Sequence, residues 1–338
     1  MIDGQRMRGS KGDCRRSSGQ VITFQSNVIA VARCRAVSQD QRKFWISEMC
    51  GKTLSAIVAI ALQSGLAAAQ ENAFAAFDIA SESVLNDPHD LTIGPSGLLY
   101  VADKFGNSIK VLDPDTLEIL GSFGDGALIG VHDISFGPDG RAYIAVTGLS
   151  RVDVYEVDGV QGKYIESFSG VPRTEGAFAH PNGRLYVVAG GVGALVVIEG
   201  GNLIAAVRGL YGAHDVAGAP DGSVWVADNR SSRLVQFDAE LNFLQVLDGP
   251  EFGFIGPRYL AVDDFGRLIV ADQDAHRILL IDPSAPVGSR LQGVIGDGLP
   301  GIGPGKFDDP EGIEVFENSY FVSDSDNNRI VKYTVVIN

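Results

Sequence analysis

The chain has 338 residues, of which 27 are Lys or Arg and 42 are Asp or Glu, so its formal net charge is −15. An acidic surface repels nucleic-acid phosphates and anionic lipid headgroups, so we expect neither as a partner, whereas cations are favoured. The length allows a hydrophobic core large enough to be stable without disulfide bonds.

The N-terminal part of the chain has the features of a targeting region. Residues 1–48 are basic and lack a periodic apolar pattern, so we interpret them as an upstream extension outside the folded domain. Residues 49–69 resemble a secretory signal peptide, with a positive start, a short apolar run (54–62) and a small-residue cleavage site ending at Ala69. The run is shorter than the roughly 18 residues that span a bilayer. The sequence therefore predicts a periplasmic or secreted domain at residues 70–338 without membrane insertion, with an uncleaved anchor as the alternative.

Removal of residues 1–69 changes the charge and the cysteine content. These residues hold 10 of the basic and 4 of the acidic side chains, so the remainder keeps 17 and 38, a net charge of −21. Cys14, Cys34 and Cys50 all precede the cleavage site. We therefore expect an exported domain that folds without disulfide bonds.

A repeated unit fills the predicted domain. Five segments join a turn rich in Pro, Asp, Asn and Gly to an alternating apolar run: GPSGLLYVAD (94–103), GPDGRAYIAV (137–146), HPNGRLYVVA (180–189), APDGSVWVAD (219–228) and DDFGRLIVAD (263–272). A weaker copy is FENSYFVSD (316–324), and the six copies end 43, 43, 39, 44 and 52 residues apart. Repeats of about 40–50 residues that contain only strand patterns are typical of β-propellers. The sequence thus predicts an all-β fold, a six-bladed β-propeller.

Each unit contains four predicted strands in chain order. The first follows the His-Asp position, and the second is the apolar run; in the first unit the third is NSIKVLD (107–113) and the fourth is LEILGSFG (117–124). The last unit ends after its third strand, whereas NAFAAFDIAS (72–81) precedes the first unit as a lone strand pattern. We expect this N-terminal strand to complete the last blade and close the ring.

The recurring Tyr/Trp-Val-Ala-Asp and Asn-Arg-Ile motifs, as in VSD (322–324) with NRI (328–330), resemble those of the NHL-repeat family over residues 72–338. Within that family, the segments PHDL, VHDI and AHDV are similar to those of peptidyl-hydroxyglycine amidating lyases, six-bladed propellers with zinc and calcium in the channel. This resemblance implies three kinds of site residue: zinc-binding histidines (His89, His132, His214), a calcium carboxylate (Asp133 or Asp215) and an Arg-Tyr pair for lyase chemistry (Arg258, Tyr259).

First strands surround the axis of a propeller, so equivalent positions on them should form a ring around the channel. In the six units that position holds His89, His132, Glu175, His214, Arg258 and Glu311. Alternate units would bring His132, His214 and Glu311 together, two imidazoles and a carboxylate of the kind that bind catalytic zinc. The three histidines are the alternative set, and a charge-balanced channel without metal is the third. His180 and His276 occur on turns of single units, and we interpret both as surface residues.

Two functions remain open from the sequence. One is a lyase or hydrolase that uses zinc or another divalent transition metal, with calcium as a second candidate ion, on a small anionic or peptide-like substrate in the channel. Arg258 would then orient the anionic group, and Tyr259 or Glu175 would move the proton. The other is a non-catalytic propeller that binds a protein or a small ligand on its loop face. A calcium-dependent lactonase ranks below both, because it would place Asn and Asp at the ring.

Overall fold

The computed structural model describes residues 74–336, which form 24 strands in six four-stranded antiparallel sheets. The six-bladed β-propeller predicted from the repeats is therefore confirmed. The predicted extension (1–48) and signal peptide (49–69) lie outside the described residues. Within the described range, no helix has the length and apolarity needed to cross a membrane.

The strands follow the repeats closely. The N-terminal strand is β1 (Ala75–Ala80). Blade 1 contains β2 (Pro88–Ile93), β3 (Leu99–Asp103), β4 (Ser108–Leu112) and β5 (Ile119–Phe123). Blade 2 contains β6 (Val131–Phe136), β7 (Ala142–Val146), β8 (Arg151–Asp158) and β9 (Gln161–Ser169). Blade 3 contains β10 (Thr174–Ala179), β11 (Leu185–Ala189), β12 (Ala194–Glu199) and β13 (Asn202–Arg208).

The remaining blades repeat this order. Blade 4 contains β14 (Ala213–Gly218), β15 (Val224–Asp228), β16 (Arg233–Phe237) and β17 (Phe243–Leu247). Blade 5 contains β18 (Pro257–Val262), β19 (Leu268–Asp272), β20 (Arg277–Ile281) and β21 (Leu291–Ile295). Blade 6 contains β22 (Pro310–Phe316), β23 (Ser319–Asp324) and β24 (Arg329–Val335). Short 3₁₀ turns follow three second strands: Thr147–Leu149, Asn229–Ser231 and Gln273–Ala275.

The N-terminal strand closes the ring as predicted. Strand β1 pairs antiparallel with β24, so that Ala75 lies opposite Val335 and Ala80 opposite Val331. Blade 6 is thus built from both ends of the domain, in the order β1-β24-β23-β22. This arrangement pairs the outer edge of β24, which would otherwise expose unpaired backbone groups.

The core consists of hydrophobic layers between neighbouring blades. Side chains of the second strands are buried on both faces, as in LYVAD of β3 and VWVAD of β15. The layer between blades 6 and 1 shows that the ring is continuous, because Leu91 and Leu99 share a buried cluster with Phe321 and Ile330. Burial of such side chains contributes about 1.5–3 kcal/mol each.

The Asp at the end of the second strand holds the loops of the channel mouth. The Asp272 carboxylate accepts hydrogen bonds from the backbone N–H groups of Ile255 (3.0 Å) and Gly256 (2.8 Å), and Arg277 binds its other oxygen at 2.7 Å. Asp324 is bound similarly by the N–H of Asp308 at 2.7 Å. These contacts anchor the loops that precede the first strands, so they position the ring residues.

Candidate metal centre at the channel mouth

The structure places the six predicted ring residues at equivalent positions. Each is the second residue of a first strand: His89, His132, Glu175, His214, Arg258 and Glu311 on β2, β6, β10, β14, β18 and β22. Each of these strands also has a bulge at or beside this position. A bulge interrupts the alternation of side chains between the two faces of a strand. Consecutive residues such as His132 and Asp133 can therefore both face the channel.

The local backbone before the ring explains its shape. Five of the ring residues are preceded, two positions earlier, by a residue with positive φ: Asp87 (59°), Gly130 (62°), Arg173 (51°), Gly212 (77°) and Asp309 (47°). A left-handed residue turns the chain sharply into the strand that follows it. The side chains at these positions, Asp87 and Arg173 in particular, are thereby brought beside the ring.

His132, Glu175 and His214 converge on one point. The Oε2 atom of Glu175 lies 3.4 Å from His132 Nε2 and 3.7 Å from His214 Nε2. One ligand atom from each residue lies within 4.8 Å of the other two. Ligands around tetrahedral zinc, with bonds of about 2.0–2.1 Å, are about 3.4 Å apart. The spacing of this triad therefore fits a zinc ion with an open fourth position.

Two atoms of the triad are buried without a partner. Glu175 Oε2 and His214 Nε2 have no hydrogen bond to any of the described residues. Buried polar atoms are normally hydrogen-bonded, since an unpaired group costs about 1–3 kcal/mol. An ion bound between these atoms would remove that cost.

The imidazoles of His132 and His214 favour the neutral form, which is the form that binds metal. Burial, together with the charge of Arg258, lowers the pKa of His214 well below its ordinary value, and burial and His89 do the same for the pKa of His132. His132 Nδ1 lies 2.8 Å from the carbonyl oxygen of Gly130, so its N–H donates there and leaves the Nε2 lone pair toward Glu175. Metal-binding histidines are commonly oriented by such a bond.

The triad differs from the predicted set. Alternate blades were expected to combine His132, His214 and Glu311, but Glu311 lies beside His89, where its Oε2 is 3.0 Å from His89 Nε2. The three-histidine set differs from the triad as well, because His89 Nε2 lies beside Glu311, although the rings of His89 and His132 are only 4.6 Å apart. Blade 3 lies between blades 2 and 4, so Glu175 is the carboxylate nearest to both histidines. Glu175, predicted to move a proton, is thus a candidate metal ligand.

A second polar group lies around Glu311. Its Oε1 accepts a hydrogen bond from Gln273 Nε2 at 2.9 Å, and Arg258 Nε is 3.4 Å from its Oε2. Arg258 also donates to Gln273 Oε1 at 2.7 Å. Asp87 lies on the far side of His89, 3.6 Å from its Nδ1. Burial raises the pKa of Glu311 to about 7, so this carboxyl exchanges a proton near neutral pH.

Tyr259 forms the floor of the mouth rather than part of the reactive surface. Its side chain is fully buried, and its hydroxyl donates a hydrogen bond to the carbonyl oxygen of His132 at 3.0 Å. Its ring lies 6.3 Å from the ring of His89 and 6.0 Å from that of His214. Burial raises its pKa well above the ordinary value. The predicted role in proton transfer stays a prediction, since the hydroxyl is bound to the backbone across the channel in this structure.

Below Tyr259, four carboxyl groups line a second chamber of about 210 Å³: Asp90, Asp133, Asp215 and Glu314. Asp133 accepts a hydrogen bond from Ala177 N at 3.2 Å, and Asp215 from Leu260 N at 2.9 Å. Asp90, which the sequence interpretation did not include, accepts one from Ile134 N at 3.3 Å. Each carboxylate thus binds the first strand of the next blade. The repeated His-Asp pair therefore has two roles: the His faces the mouth, and the Asp joins neighbouring blades.

Blades 3 and 6 have glycine where blades 1, 2 and 4 have this Asp, and blade 5 has Tyr259 there. A Cβ on Gly176 would lie 2.8 Å from the carbonyl oxygen of His214, and one on Gly312 would lie 2.4 Å from that of His89. Glycine is therefore required for the close approach of the neighbouring strand.

Burial of acid groups in the lower chamber predicts a pH effect. Glu314 lines this chamber, and burial raises its pKa to about 8. Because the folded state holds this proton more tightly than the unfolded state, the contribution of Glu314 to stability is fully present below its ordinary pKa and is lost as the pH rises toward 8. We expect Glu314→Gln to remove this loss, so that from pH 5.5 to 8.5 the variant gains about 1–3 kcal/mol over the parent chain. Urea unfolding at both pH values in EDTA measures the difference, and parallel changes in the two proteins would contradict it.

The two remaining histidines are less exposed than the sequence suggested. His180 is buried, and its Nε2 lies 3.1 Å from the carbonyl oxygen of Gly222, so its interpretation as a surface residue is wrong. His276 is half-buried, and its Nδ1 accepts a hydrogen bond from the N–H of Asp309 at 3.2 Å. Neither residue reaches the ring.

Fold and mouth together define the class of protein: a six-bladed β-propeller with histidines, carboxylates and an arginine around its axis. The family described as a domain of unknown function (DUF5074) matches residues 54–250, more than half of the chain. The chain belongs to this family.

Solved structures share the fold at low sequence identity. Virginiamycin B lyase from Staphylococcus aureus aligns with a TM-score of 0.55 and 12% identity over 76% of this chain and 99% of that one. A streptogramin B lyase aligns with a TM-score of 0.56 and 14% identity over 77% and 98%, respectively. Hydrazine synthase from Kuenenia stuttgartiensis aligns with a TM-score of 0.53 and 14% identity over 76% and 98%. These likenesses show the propeller fold.

A curated relative matches only a short segment. The PE-PGRS family protein PE_PGRS18 from Mycobacterium tuberculosis is 42% identical over 41 residues, which is 12% of this chain and 9% of that protein. The chain therefore spans less than a tenth of the length of this relative.

Proposed function

We propose that the protein is a metal-dependent lyase or hydrolase with zinc, or another divalent transition metal, at His132, Glu175 and His214. The observation that carries this proposal is the convergence of two unprotonated imidazoles on a buried carboxylate oxygen that has no partner among the described residues. The bound ion would polarise a substrate oxygen or lower the pKa of a water. The lyases of the same fold, and the resemblance to NHL-type amidating lyases, agree with this reaction class.

The protein side chains would bind and orient the substrate and move the proton. Arg258 faces the mouth between Glu175 and Glu311, so its guanidinium would bind an anionic substrate group. Glu311 has a pKa of about 7 and contacts His89 Nε2 at 3.0 Å, so this pair would give or accept the proton. We therefore assign proton transfer to Glu311 and His89, in place of the Tyr259 or Glu175 expected from the sequence.

The remaining expectations belong to the same proposal. Export through the predicted signal peptide (49–69) would place the protein in the periplasm or outside the cell. The acidic lower chamber, with Asp133, Asp215 and Asp90, would be the place for calcium. The substrate would be a small anionic or peptide-like molecule that enters the channel.

The test is metal content followed by activity. The full chain, produced without a histidine tag, would be analysed by mass spectrometry for bound metals and then screened for lyase and hydrolase turnover, before and after EDTA treatment. About one transition metal per chain, with turnover lost in EDTA and restored by zinc, is expected. Absence of a stoichiometric metal would exclude the metalloenzyme.

A binding propeller is the second candidate, favoured by apolar side chains around the mouth. Six loop residues there are substantially exposed: Phe105 (59%), Ile129 (48%), Leu149 (39%), Val192 (44%), Tyr211 (63%) and Ile255 (58%). Exposed apolar groups around a polar centre are common at binding sites. A chain that binds no metal, but holds a protein or small ligand through these side chains, would support this alternative.

A further inference from the structure

A pocket of about 460 Å³ opens from the candidate metal centre between blades 3 and 4. Glu175 and His214, two members of the triad, line its inner end. The blade 3 loop (190–193) and the following loop (210–213) form its sides. Its size is within the range of small-molecule sites, which are about 300–1,000 Å³. A molecule bound there would contact the triad directly.

Three arginines line the pocket, which we call the arginine pocket. Arg173 pairs with Glu175 through its Nε, and Arg258 contacts Glu311 at 3.4 Å. Arg230 forms no ion pair with a carboxylate in residues 74–336, and its guanidinium lies 5.8 Å from the centre of the Tyr211 ring. The lining thus carries three positive groups and one negative group, in a chain whose net charge is −15.

The charge around the mouth is unevenly distributed. On the side of blades 6 and 1, Asp308, Asp309 and Asp326 lie close together, and burial and the neighbouring Asp326 raise the pKa of Asp309 to about 6. Their negative field disfavours an anion on that side, whereas the arginines favour one on the other. An anionic ligand would therefore be directed toward the arginine pocket.

Glycines keep the pocket open. A Cβ on Gly190 would lie 2.7 Å from Glu175 Cγ, and one on Gly193, where φ is +59°, would lie 2.2 Å from the carbonyl oxygen of Leu210. Only glycine allows the loop to lie this close to its neighbours. Val192 is thus the one residue of this four-residue loop that presents a side chain to the pocket, opposite the exposed ring of Tyr211.

We propose that the arginine pocket binds an oxyanion group, a carboxylate or a phosphate, carried by a substrate with a flat apolar body. Arg230 and Arg173 bind the oxyanion, Tyr211 packs against the flat body, and the adjoining atoms lie at Glu175 and His214. Guanidinium groups bind both oxyanions through paired hydrogen bonds, and aromatic rings pack against flat groups. This inference rests on the proposed function, because it names the substrate class of the same site.

The test uses fluorinated probes and the full chain after EDTA treatment. Binding of 4-fluorobenzoate, 4-fluorophenyl phosphate and neutral 4-fluorobenzamide is followed by ¹⁹F NMR titration. We expect at least one anion to bind about tenfold or more tightly than the amide. Arg230→Ala should lower the affinity for that anion by about tenfold or more. Arg230→Lys should restore part of the affinity, because it keeps the charge but loses the paired geometry. Tyr211→Ala should weaken the binding of both anions.

The matched control is Arg141→Ala, which removes a partly exposed arginine from the hairpin at the other end of blade 2. Its affinity for the anions should equal that of the parent chain. Equal binding of amide and anions, unchanged affinity in Arg230→Ala, or no anion binding would overturn the inference. Because the titration needs no metal, failure here with zinc binding intact leaves the proposed function standing. If zinc binding fails while anion binding is intact, the proposed function is contradicted and the arginine pocket stands.

Discussion

His132→Ala and His214→Ala should each weaken zinc binding by more than about a hundredfold. Loss of a residue that merely orients a ligand commonly costs 10–100-fold in metal affinity, so loss of a ligand should cost more. The double variant should contain no stoichiometric zinc. Competition with a chelator of known zinc affinity measures these changes, while circular dichroism checks that the variants remain folded.

Three further variants separate the alternative ligand sets. Glu175→Gln should weaken zinc binding strongly, whereas Glu311→Gln should leave it within about tenfold, because Glu311 lies on the side of His89. His89→Ala should likewise retain the metal. Loss of zinc in Glu311→Gln with retention in Glu175→Gln would favour the set from alternate blades. Loss in His89→Ala would favour the three-histidine set.

Phe74→Ala should lower the free energy of unfolding by about 3–5 kcal/mol, the usual cost of removing a buried aromatic side chain. Phe74 is fully buried, and its ring lies 5.3 Å from that of Tyr320. Its carbonyl oxygen also accepts a hydrogen bond from Val336 N at 3.0 Å. The side chain therefore fixes the N-terminal strand onto blade 6, and its loss weakens closure of the ring. Urea unfolding of the full chain measures the change.

Phe77→Ala is the matched control on the same strand. Phe77 is 36% exposed and contacts the ring of Tyr333 at 6.0 Å. Its removal should cost about 1 kcal/mol or less, as expected for a side chain that is partly in water. Equal effects of the two substitutions would mean that closure does not depend on the buried contact.

The channel mouth combines features that are common at functional sites. Buried imidazoles with low pKa values, a carboxyl that titrates near pH 7 and a half-buried arginine lie within one group around the axis. Ionisable groups with such shifted pKa values cluster at functional sites. All six ring residues lie on strands rather than on loops, which favours a precise arrangement of their side chains.

The sequence determined the fold almost completely. The turn-and-strand repeat recurs at a nearly constant spacing, and each copy buries its apolar face only against the next, so six copies predict a closed ring. The lone strand at residues 72–81 and the missing strand of the last unit predict their pairing, which β1 and β24 form. The ring residues were also predictable, because equivalent positions of a repeat lie at equivalent places around an axis.

Only the tertiary structure decided which ring residues meet. His132 and His214 could be paired with a carboxylate by symmetry, but the direction of each side chain depends on its local contacts. Arg258 and Gln273 hold Glu311 toward His89, whereas Arg173 lies beside Glu175, which faces the two histidines. Arg173 and Arg230 lie on loops, where the repeat is weakest and the sequence carries no periodic signal. The sequence therefore determined which residues lie around the axis. The charged and polar neighbours of each side chain decided which of these residues come together in the candidate site.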